Sequence, residues 1–220
     1  MKRLIVNADD LGRSSGVNRG VLRAHKAGIV TSTTLMANAP RAAEAAGAVR
    51  DQRRLGVGVH LVRGRARGEE VLAEFRRQID HATKLLGRAP THLDTHHFVQ
   101  DEPEVLWALE SVAKERGLPA RTQSRKQRDE LRRGGVRTPD HFSRDFYGHE
   151  AVSVSALLRL LARLPEGTSE MMCHPAELDD DLRSSSYAVE RPLELETLTH
   201  PDIAHAIREA RITLITFADL

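Results

Sequence analysis

Residues 4–36 read LIVNADDLGRSSGVNRGVLRAHKAGIVTSTTLM and contain the pattern that decides the fold class. The β-branched run at 4–6 predicts a strand, and residues 16–27 predict a helix because their apolar side chains recur on one helical face. Residues 29–36 predict the next strand. A short strand, a helix and a second strand in this order are typical of a parallel α/β fold.

The same alternation continues along the rest of the chain. Strands are predicted at 55–61, 91–96, 118–122, 170–173 and 212–217, and helices at 41–53, 70–86, 103–116, 152–164 and 203–210. Residues 123–149 are polar and irregular, which predicts a long loop. About seven alternations predict one domain over residues 1–220, folded as a distorted or incomplete (β/α) barrel.

The charge pattern argues against nucleic acid as a partner. Lys and Arg number 33 against 31 Asp and Glu. The densest basic stretch, residues 121–137, has no interleaved aromatic residues on which bases could stack, so it is predicted to be a solvated helix or loop.

The compartment is predicted from what the sequence lacks. Cys173 is the only cysteine, so no intramolecular disulfide can form. The N-terminus reaches Asn7 and Asp9 before an apolar signal-peptide region can form, and no uncharged apolar run approaches the about 18 residues of a membrane span. We therefore expect a cytoplasmic protein without a membrane span. Its oligomeric state stays open between a monomer and a homodimer.

Chemically active side chains fall where the predicted strands end. They are Asp9 and Asp10 after the first strand, His60 in the third, Asp94 and His96 in the fourth, and His174 after the strand at 170–173. The carboxyl ends of parallel barrel strands share one face, where the connecting loops build active sites. We therefore expect these side chains to lie close together.

A divalent metal site is predicted from Asp10, His60 and His96. Two imidazoles and one carboxylate leave coordination positions open for water and a substrate oxygen. The Asp9–Asp10 pair could instead cap a helix. His97 should point to the opposite face of its strand from His96. Asp94 is predicted either to orient a ligand or to be a buried structural residue.

Five motifs together resemble the YdjC-like carbohydrate deacetylases, which include chitooligosaccharide deacetylases. The motifs are Asn7-Ala8-Asp9-Asp10-Leu11-Gly12, Gly58-Val59-His60-Leu61, Thr91-His92-Leu93-Asp94-Thr95-His96-His97, Thr138-Pro139-Asp140-His141-Phe142 and Met172-Cys173-His174-Pro175. Tyr187, Arg191 and Glu194 also look like the C-terminal region of this family. The resemblance covers nearly the whole chain.

The resemblance implies an incomplete (β/α) barrel that binds a divalent metal, Mg²⁺ or Zn²⁺. Carried over by position, Asp10, His60 and His96 are the metal ligands, Asp9 is the general base and His174 is the candidate acid. Arg191 is expected to orient Asp9, to contact substrate hydroxyls or to lie on the surface. Asp94 and His97 are further candidates for supporting the ligands or contacting substrate.

Two departures from the family pattern concern the substrate. Phe98 and Gln100 stand where many members have further histidines, and residues 63–70 look shorter than in many relatives. A branch associated with hopanoid biosynthesis shares the same motifs, so a hopanoid-linked sugar is an alternative substrate.

The function predicted from these residues is metal-dependent removal of acetyl groups from N-acetylated amino sugars or oligosaccharides. A non-catalytic carbohydrate-binding or regulatory protein is one alternative, although aromatic residues make up only 4% of the chain. A metal-dependent phosphoester hydrolase or isomerase is another, because a fold does not fix a function. The presence of both Asp9 and His174 favours an enzyme.

Overall fold

The computed structural model describes residues 1–220, and its strands form a single parallel sheet. The strands are β1 Lys2–Leu11, β2 Ser32–Leu35, β3 Gly56–Leu61, β4 Leu93–Thr95, β5 His141–Ser143, β6 Gly167–Cys173 and β7 Thr213–Leu214. Their order is β4-β3-β2-β1-β6-β5, and β7 pairs with the start of β1. The long strand β1 therefore lies in the middle of the sheet.

Eight helices connect these strands and pack against the sheet. They are α1 Ser15–Ala27, α2 Ala42–Val49, α3 Glu69–Leu86, α4 Pro103–Arg116, α5 Arg125–Arg133, α6 Val154–Ala162, α7 Glu190–Leu198 and α8 Pro201–Glu209. None of them combines the length and the apolar character that crossing a bilayer requires.

The two faces of the sheet differ in chemistry. On β3, Val57, Val59 and Leu61 belong to the hydrophobic core, whereas Gly58 and His60 alternate with them. On β1, Leu4, Val6 and Ala8 likewise belong to the core, and Asn7 and Asp9 alternate with these. One face therefore packs on the helices, and the other forms a polar interior.

The sheet curls into an incomplete barrel, which confirms the predicted fold class. Beyond β4, Leu93 forms a single parallel bridge with Ala120. The Ala120 amide then donates to the Arg137 carbonyl oxygen at 3.0 Å. The wall between β4 and β5 is thus made by isolated bonds and not by a full strand.

Two sequence predictions are wrong in this region. Residues 118–122 form no strand, because the chain leaves β4 after one bridge and turns Arg121 into the interior. Residues 123–149 are not one long loop, since they contain α5 and β5. Helix α5 buries only Gln127 and Leu131, so it has no apolar stripe from which periodicity could have predicted it.

Helix α7 was also missed, and β1 is longer than predicted. The buried residues of α7 include the charged Arg191 and Glu194, which hide its helical pattern. Strand β1 runs to Leu11 instead of ending at residue 6. In both elements polar side chains face the interior, where an apolar pattern is normally expected.

Candidate active site

A backbone irregularity at the end of β1 turns two adjacent carboxylates into one cavity. Between Ala8 and Leu11, β1 contains one more residue than the paired part of β2. Asp10 adopts a left-handed conformation with φ 68°, which is uncommon outside glycine and is often found at functional sites. In a regular strand neighbouring side chains would point to opposite faces. The bulge therefore lets Asp9 and Asp10 line the same cavity.

His60 at the end of β3 is held by a carboxylate from β4. Its Nδ1 lies 2.7 Å from Asp94 Oδ1, while Thr34 donates to Asp94 Oδ2 at 3.0 Å. A proton on Nδ1 satisfies Asp94 and leaves the Nε2 lone pair free for a metal. Of the two roles predicted for Asp94, the structure therefore favours ligand orientation.

Three ligand atoms converge within hydrogen-bonding distances of one another. Asp10 Oδ1 lies 3.5 Å from His60 Nε2 and 3.3 Å from His96 Nδ1, and the two nitrogens are 3.2 Å apart. Asp10 Oδ1 is buried and has no hydrogen-bond partner. Atoms that bind a tetrahedral Zn²⁺ at about 2.0–2.2 Å lie about 3.3–3.6 Å from each other. The residues present therefore fit a divalent metal.

A second group of possible ligands is already committed to hydrogen bonds. Asp9, His60 and Asp94 also approach one another closely enough to hold an ion. However, Asp94 is bonded to His60 and Thr34, and both oxygens of Asp9 accept hydrogen bonds from Arg121. The unpartnered Asp10 oxygen therefore favours the Asp10–His60–His96 set.

Arg121 is a residue of this cavity that sequence reasoning missed. Its side chain is 1% exposed, which contradicts the prediction that the basic stretch at 121–137 is solvated. Its Nη1 and Nη2 donate to the two oxygens of Asp9 at 2.6 and 2.7 Å, and its Nε donates to Glu170 at 2.7 Å. The signal available in the sequence was Glu170, the only charged residue of β6.

The ion pair with Arg121 controls the charge of Asp9. Burial alone would raise the pKa of the Asp9 carboxyl, but the charge and hydrogen bonds of Arg121 outweigh it and hold the pKa below its usual range. Asn7 also donates to Asp9 Oδ1 at 2.8 Å. Asn7 is fixed in turn by His92, whose Nε2 lies 3.0 Å from Asn7 Oδ1. His92 is thus structural, and it occupies the space beside Gly58.

The site carries a surplus of negative charge. All buried carboxyl and guanidinium groups of the chain lie around it, namely Asp9, Asp10, Asp94, Glu170, Glu194, Arg121 and Arg191. Five of these groups are carboxyl groups and two are guanidinium groups, and burial raises the pKa of the Glu170 carboxyl to about 8. A divalent cation held by Asp10, His60 and His96 would offset part of the negative charge.

The pKa of His60 is changed by the same buried carboxylates. Burial alone would lower its pKa, but the carboxylates of Asp94 and Asp10 raise it to about 10. The interior therefore attracts positive charge strongly at the position of His60, whether as a proton or as a cation.

The remaining predicted residues lie on the opposite side of the cavity or at its rim. His174 Nε2 is 3.9 Å from Asp9 Oδ2. Arg191 is buried and donates to Asp10 Oδ2 at 2.5 Å, so it contacts Asp10 and not Asp9, and it does not lie on the surface. His97 is exposed, lines the same cavity as His96 and packs against its ring with centroids 3.8 Å apart. The expectation that it points to the opposite face is wrong, because β4 ends at Thr95 and His97 has a positive φ of 61°.

These side chains line a cavity of about 250 Å³, and aromatic residues form part of its wall. Tyr147 stacks on Tyr187 with ring centroids 4.3 Å apart, while Phe98 lies at the other rim. A larger cavity of about 970 Å³ adjoins it and shares Arg13 and His96. The larger cavity is bordered by residues 63–66, which belong to the stretch that looks short in the sequence.

Comparison with known families gives one match along most of the chain. The family model described as "YdjC-like protein" matches residues 3–68 and 62–209.

A named relative and two solved structures match over more than 90% of both chains. A chitooligosaccharide deacetylase from Serratia marcescens is 37% identical over 100% of this chain and 99% of its own. A crystal structure from Enterococcus faecalis, titled a putative cellobiose-phosphate cleavage protein, is 33% identical, with a TM-score of 0.89 over 99% of this chain and 98% of that one. A family 4 carbohydrate esterase from Streptomyces lividans has a TM-score of 0.61 at 18% identity, covering 97% of this chain and 91% of its own. The last similarity concerns the fold alone.

Proposed function

Because the chain belongs to the YdjC-like protein family, we propose that it is a metal-dependent hydrolase that removes acetyl groups from N-acetylated amino sugars or oligosaccharides. The observation that carries the proposal is the arrangement of one cavity. Three metal-ligand atoms converge in it, while a carboxylate and an imidazole face each other beside them. We also propose that residues 1–220 act as one deacetylase domain, because all strands belong to one sheet.

Asp10, His60 and His96 would hold the metal. A divalent ion there supplies Lewis acidity toward the acetyl oxygen and lowers the pKa of water. Two imidazoles suit Zn²⁺ better than Mg²⁺, which prefers oxygen ligands, so of the two ions we favour Zn²⁺. Arg191, which donates to the other oxygen of Asp10, would keep Oδ1 turned toward the ligand position.

Asp9 would accept the proton of the attacking water. Its low pKa makes it a weak base, but it stays ionised throughout the physiological pH range. Oδ1 of Asp9 accepts from both Arg121 and Asn7, whereas Oδ2 accepts only from Arg121 and keeps a lone pair for the water. Arg121 thus fixes the direction of proton transfer and prevents Asp9 from turning toward the metal.

His174 would donate a proton to the amine nitrogen as the carbon–nitrogen bond breaks. An amide needs this step because the nitrogen would otherwise have to leave as an amine anion, which is a poor leaving group. Nε2 of His174 faces Asp9 across a gap of 3.9 Å without a direct hydrogen bond between them. The ring therefore lines the same cavity as the proposed base.

The aromatic residues at the rim support a sugar substrate. Only eight residues of the chain are Phe, Tyr or Trp, yet both tyrosines and Phe98 line this cavity. Tyr147 is 47% exposed, and its ring stacks on Tyr187, so one face is available for the C–H groups of a sugar. Apolar ring faces combined with a few polar groups are typical of small-molecule sites.

Activity assays with defined metals test this proposal. Metal-free protein is supplied with Zn²⁺, Mg²⁺ or no metal, and acetate release is measured from N-acetylated glucosamine oligomers. Acetate release that depends on the metal and is lost in Asp9→Asn supports deacetylation. A protein that binds the oligomers tightly without releasing acetate under any metal would instead be a carbohydrate-binding protein.

A further inference from the structure

Glu194 is a buried carboxylate that lies next to His174, the proposed acid, on the side of its ring away from Asp9. It lies on α7 and is 0% exposed. One oxygen accepts the backbone N–H of His174. The other accepts the hydroxyl of Tyr187 at 2.6 Å. Both donors come from segments that line the cavity, so the carboxylate fixes them relative to each other.

The His174 ring lies between two carboxylates. Its Nε2 is 3.9 Å from Asp9 Oδ2 on the cavity side, and its Nδ1 is 3.8 Å from Glu194 Oε1 on the far side. Nδ1 is buried and has no hydrogen-bond partner within 3.5 Å. Glu194 is the one carboxylate that lies within 4.0 Å of this nitrogen.

We propose that Glu194 is the positioning residue of His174, which keeps a proton on Nδ1 and so places the transferable proton on Nε2, in the cavity. This inference rests on the proposed function. When the carbon–nitrogen bond breaks, its electron pair goes to the nitrogen, and that nitrogen takes the Nε2 proton. His174 is left neutral, with its Nδ1 proton still directed at Glu194.

Tyr187 and α7 hold the carboxylate in place for this role. Burial and the charge of Glu194 raise the pKa of the Tyr187 hydroxyl well above its ordinary value, so Tyr187 remains a donor to Glu194. Arg191 lies three residues earlier on the same helix face and donates to Asp10. One face of α7 therefore orients both the acid and a metal ligand.

A purely structural role for Glu194 predicts a different result. If its only task is to hold the backbone of His174 and the Tyr187 hydroxyl, its loss should lower stability and affect every substrate equally. A role through His174 should affect only substrates whose leaving group needs a proton. The choice of substrate therefore separates the two roles.

The test compares Glu194→Gln with the matched control Glu196→Gln, an exposed residue on the same helix. Each variant is loaded with metal and checked for metal content and thermal stability. Turnover is then measured on an N-acetylated glucosamine oligomer and on 4-nitrophenyl acetate, whose leaving group needs no proton. We expect Glu194→Gln to lower kcat on the amide by about 10²-fold, with KM, metal content and ester turnover little changed. Glu196→Gln should behave as the wild type.

The double variant with His174→Ala completes the test. If Glu194 acts through His174, adding Glu194→Gln to His174→Ala costs no further amide activity, because residues that act as a unit are not additive. Additive losses, or equal losses on amide and ester, would overturn the role of Glu194. Equal losses in His174→Ala alone would instead overturn the acid role of His174 and with it that part of the proposed function.

If Glu194→Gln does not fold, Tyr187→Phe decides the question. This variant removes one hydrogen bond to the carboxylate and leaves the charge in place. A smaller loss that is still confined to the amide supports the proposal. An unchanged amide rate together with a normal melting temperature contradicts it.

Discussion

Arg121 and Asp9 form a buried, bidentate ion pair in which Nη1 and Nη2 of the guanidinium each donate to a different carboxylate oxygen, at 2.6 and 2.7 Å. The pair links the wall beyond β4 to the end of β1, at the point where both segments reach the cavity. Lys cannot form two parallel hydrogen bonds of this kind, because it presents a single ammonium group.

We therefore expect Arg121→Lys to lower kcat on an N-acetylated oligosaccharide by roughly 10²-fold, in the range associated with a misplaced base, with metal content retained. Steady-state kinetics and metal analysis check this. The control is Arg125→Lys, at a side chain that is 86% exposed. A loss of metal in Arg121→Lys would show that Arg121 supports the ligands and not the base.

Arg121 also shows where sequence reasoning ends. Strand-end positions are local, so Asp9, Asp10, His60, His96 and His174 could be located from the alternating pattern alone. The partner of Asp9 lies 112 residues away in the chain, in a segment whose basic composition suggested solvent exposure. No local pattern indicates which member of a basic run turns inward.

The parts of the fold that were missed have the same cause. Helix α5 is polar on nearly all sides, and α7 buries Arg191 and Glu194. Periodicity identifies an element by its apolar face, so elements that present charges to a polar interior escape it. The core strands β3 and β6 were located because their alternation includes an apolar face.

Metal analysis of histidine variants tests the ligand set. His60→Ala and His96→Ala should each abolish binding of about one divalent ion, because each removes one of only three protein ligands. His97→Ala should retain the metal, since its exposed ring lies at the rim. If His97→Ala loses the metal while His96→Ala retains it, then His97 and not His96 is the ligand.

The two adjacent aspartates should separate into two phenotypes. Asp9→Asn keeps the shape of the side chain but removes the proton acceptor, so activity should fall while metal content stays. Asp10→Asn should weaken metal binding, since Oδ1 of Asp10 is the unpartnered oxygen that faces His60 and His96. Both variants are compared by metal titration and by acetate release. Equal loss of metal in both would make Asp9 a ligand, and the base would have to be another group.

Tyr147 should affect substrate affinity more than turnover. Tyr147→Ala removes the exposed ring that stacks on Tyr187, so we expect KM for an N-acetylated oligosaccharide to rise by about 10-fold, the equivalent of about 1.4 kcal/mol. The KM for 4-nitrophenyl acetate should stay unchanged, because this small ester does not contain a sugar ring.

Trp107→Ala is the control, since Trp107 is similarly exposed at 46% but does not line the cavity. A fall in kcat without a change in KM would mean that Tyr147 acts on His174 and not on the sugar.

Glu170 should make the stability of the protein depend on pH. Burial raises the pKa of its carboxyl from 4.5 to about 8, so between these values the folded state holds a proton that the unfolded state has lost. Stability contributed by this group is therefore present below pH 4.5 and is lost as the pH rises toward 8. The slope can approach about 1.4 kcal/mol per pH unit. Glu170→Gln keeps an oxygen that can accept from Arg121 Nε and removes the titration.

We therefore expect Glu170→Gln to melt at a higher temperature than the wild type at pH 8, with the difference shrinking steadily as the pH falls toward 5. Thermal unfolding of both proteins over this range, with metal held constant, measures the effect. The control is Glu166→Gln, because Glu166 lies just before β6 in the chain and its side chain is 72% exposed. A pH-independent difference between Glu170→Gln and the wild type would mean that Glu170 is ionised in the folded state. Arg121 would then pair with two negatively charged carboxylates, Asp9 and Glu170. Its ion pair with Asp9 would then be weaker than the two hydrogen bonds suggest.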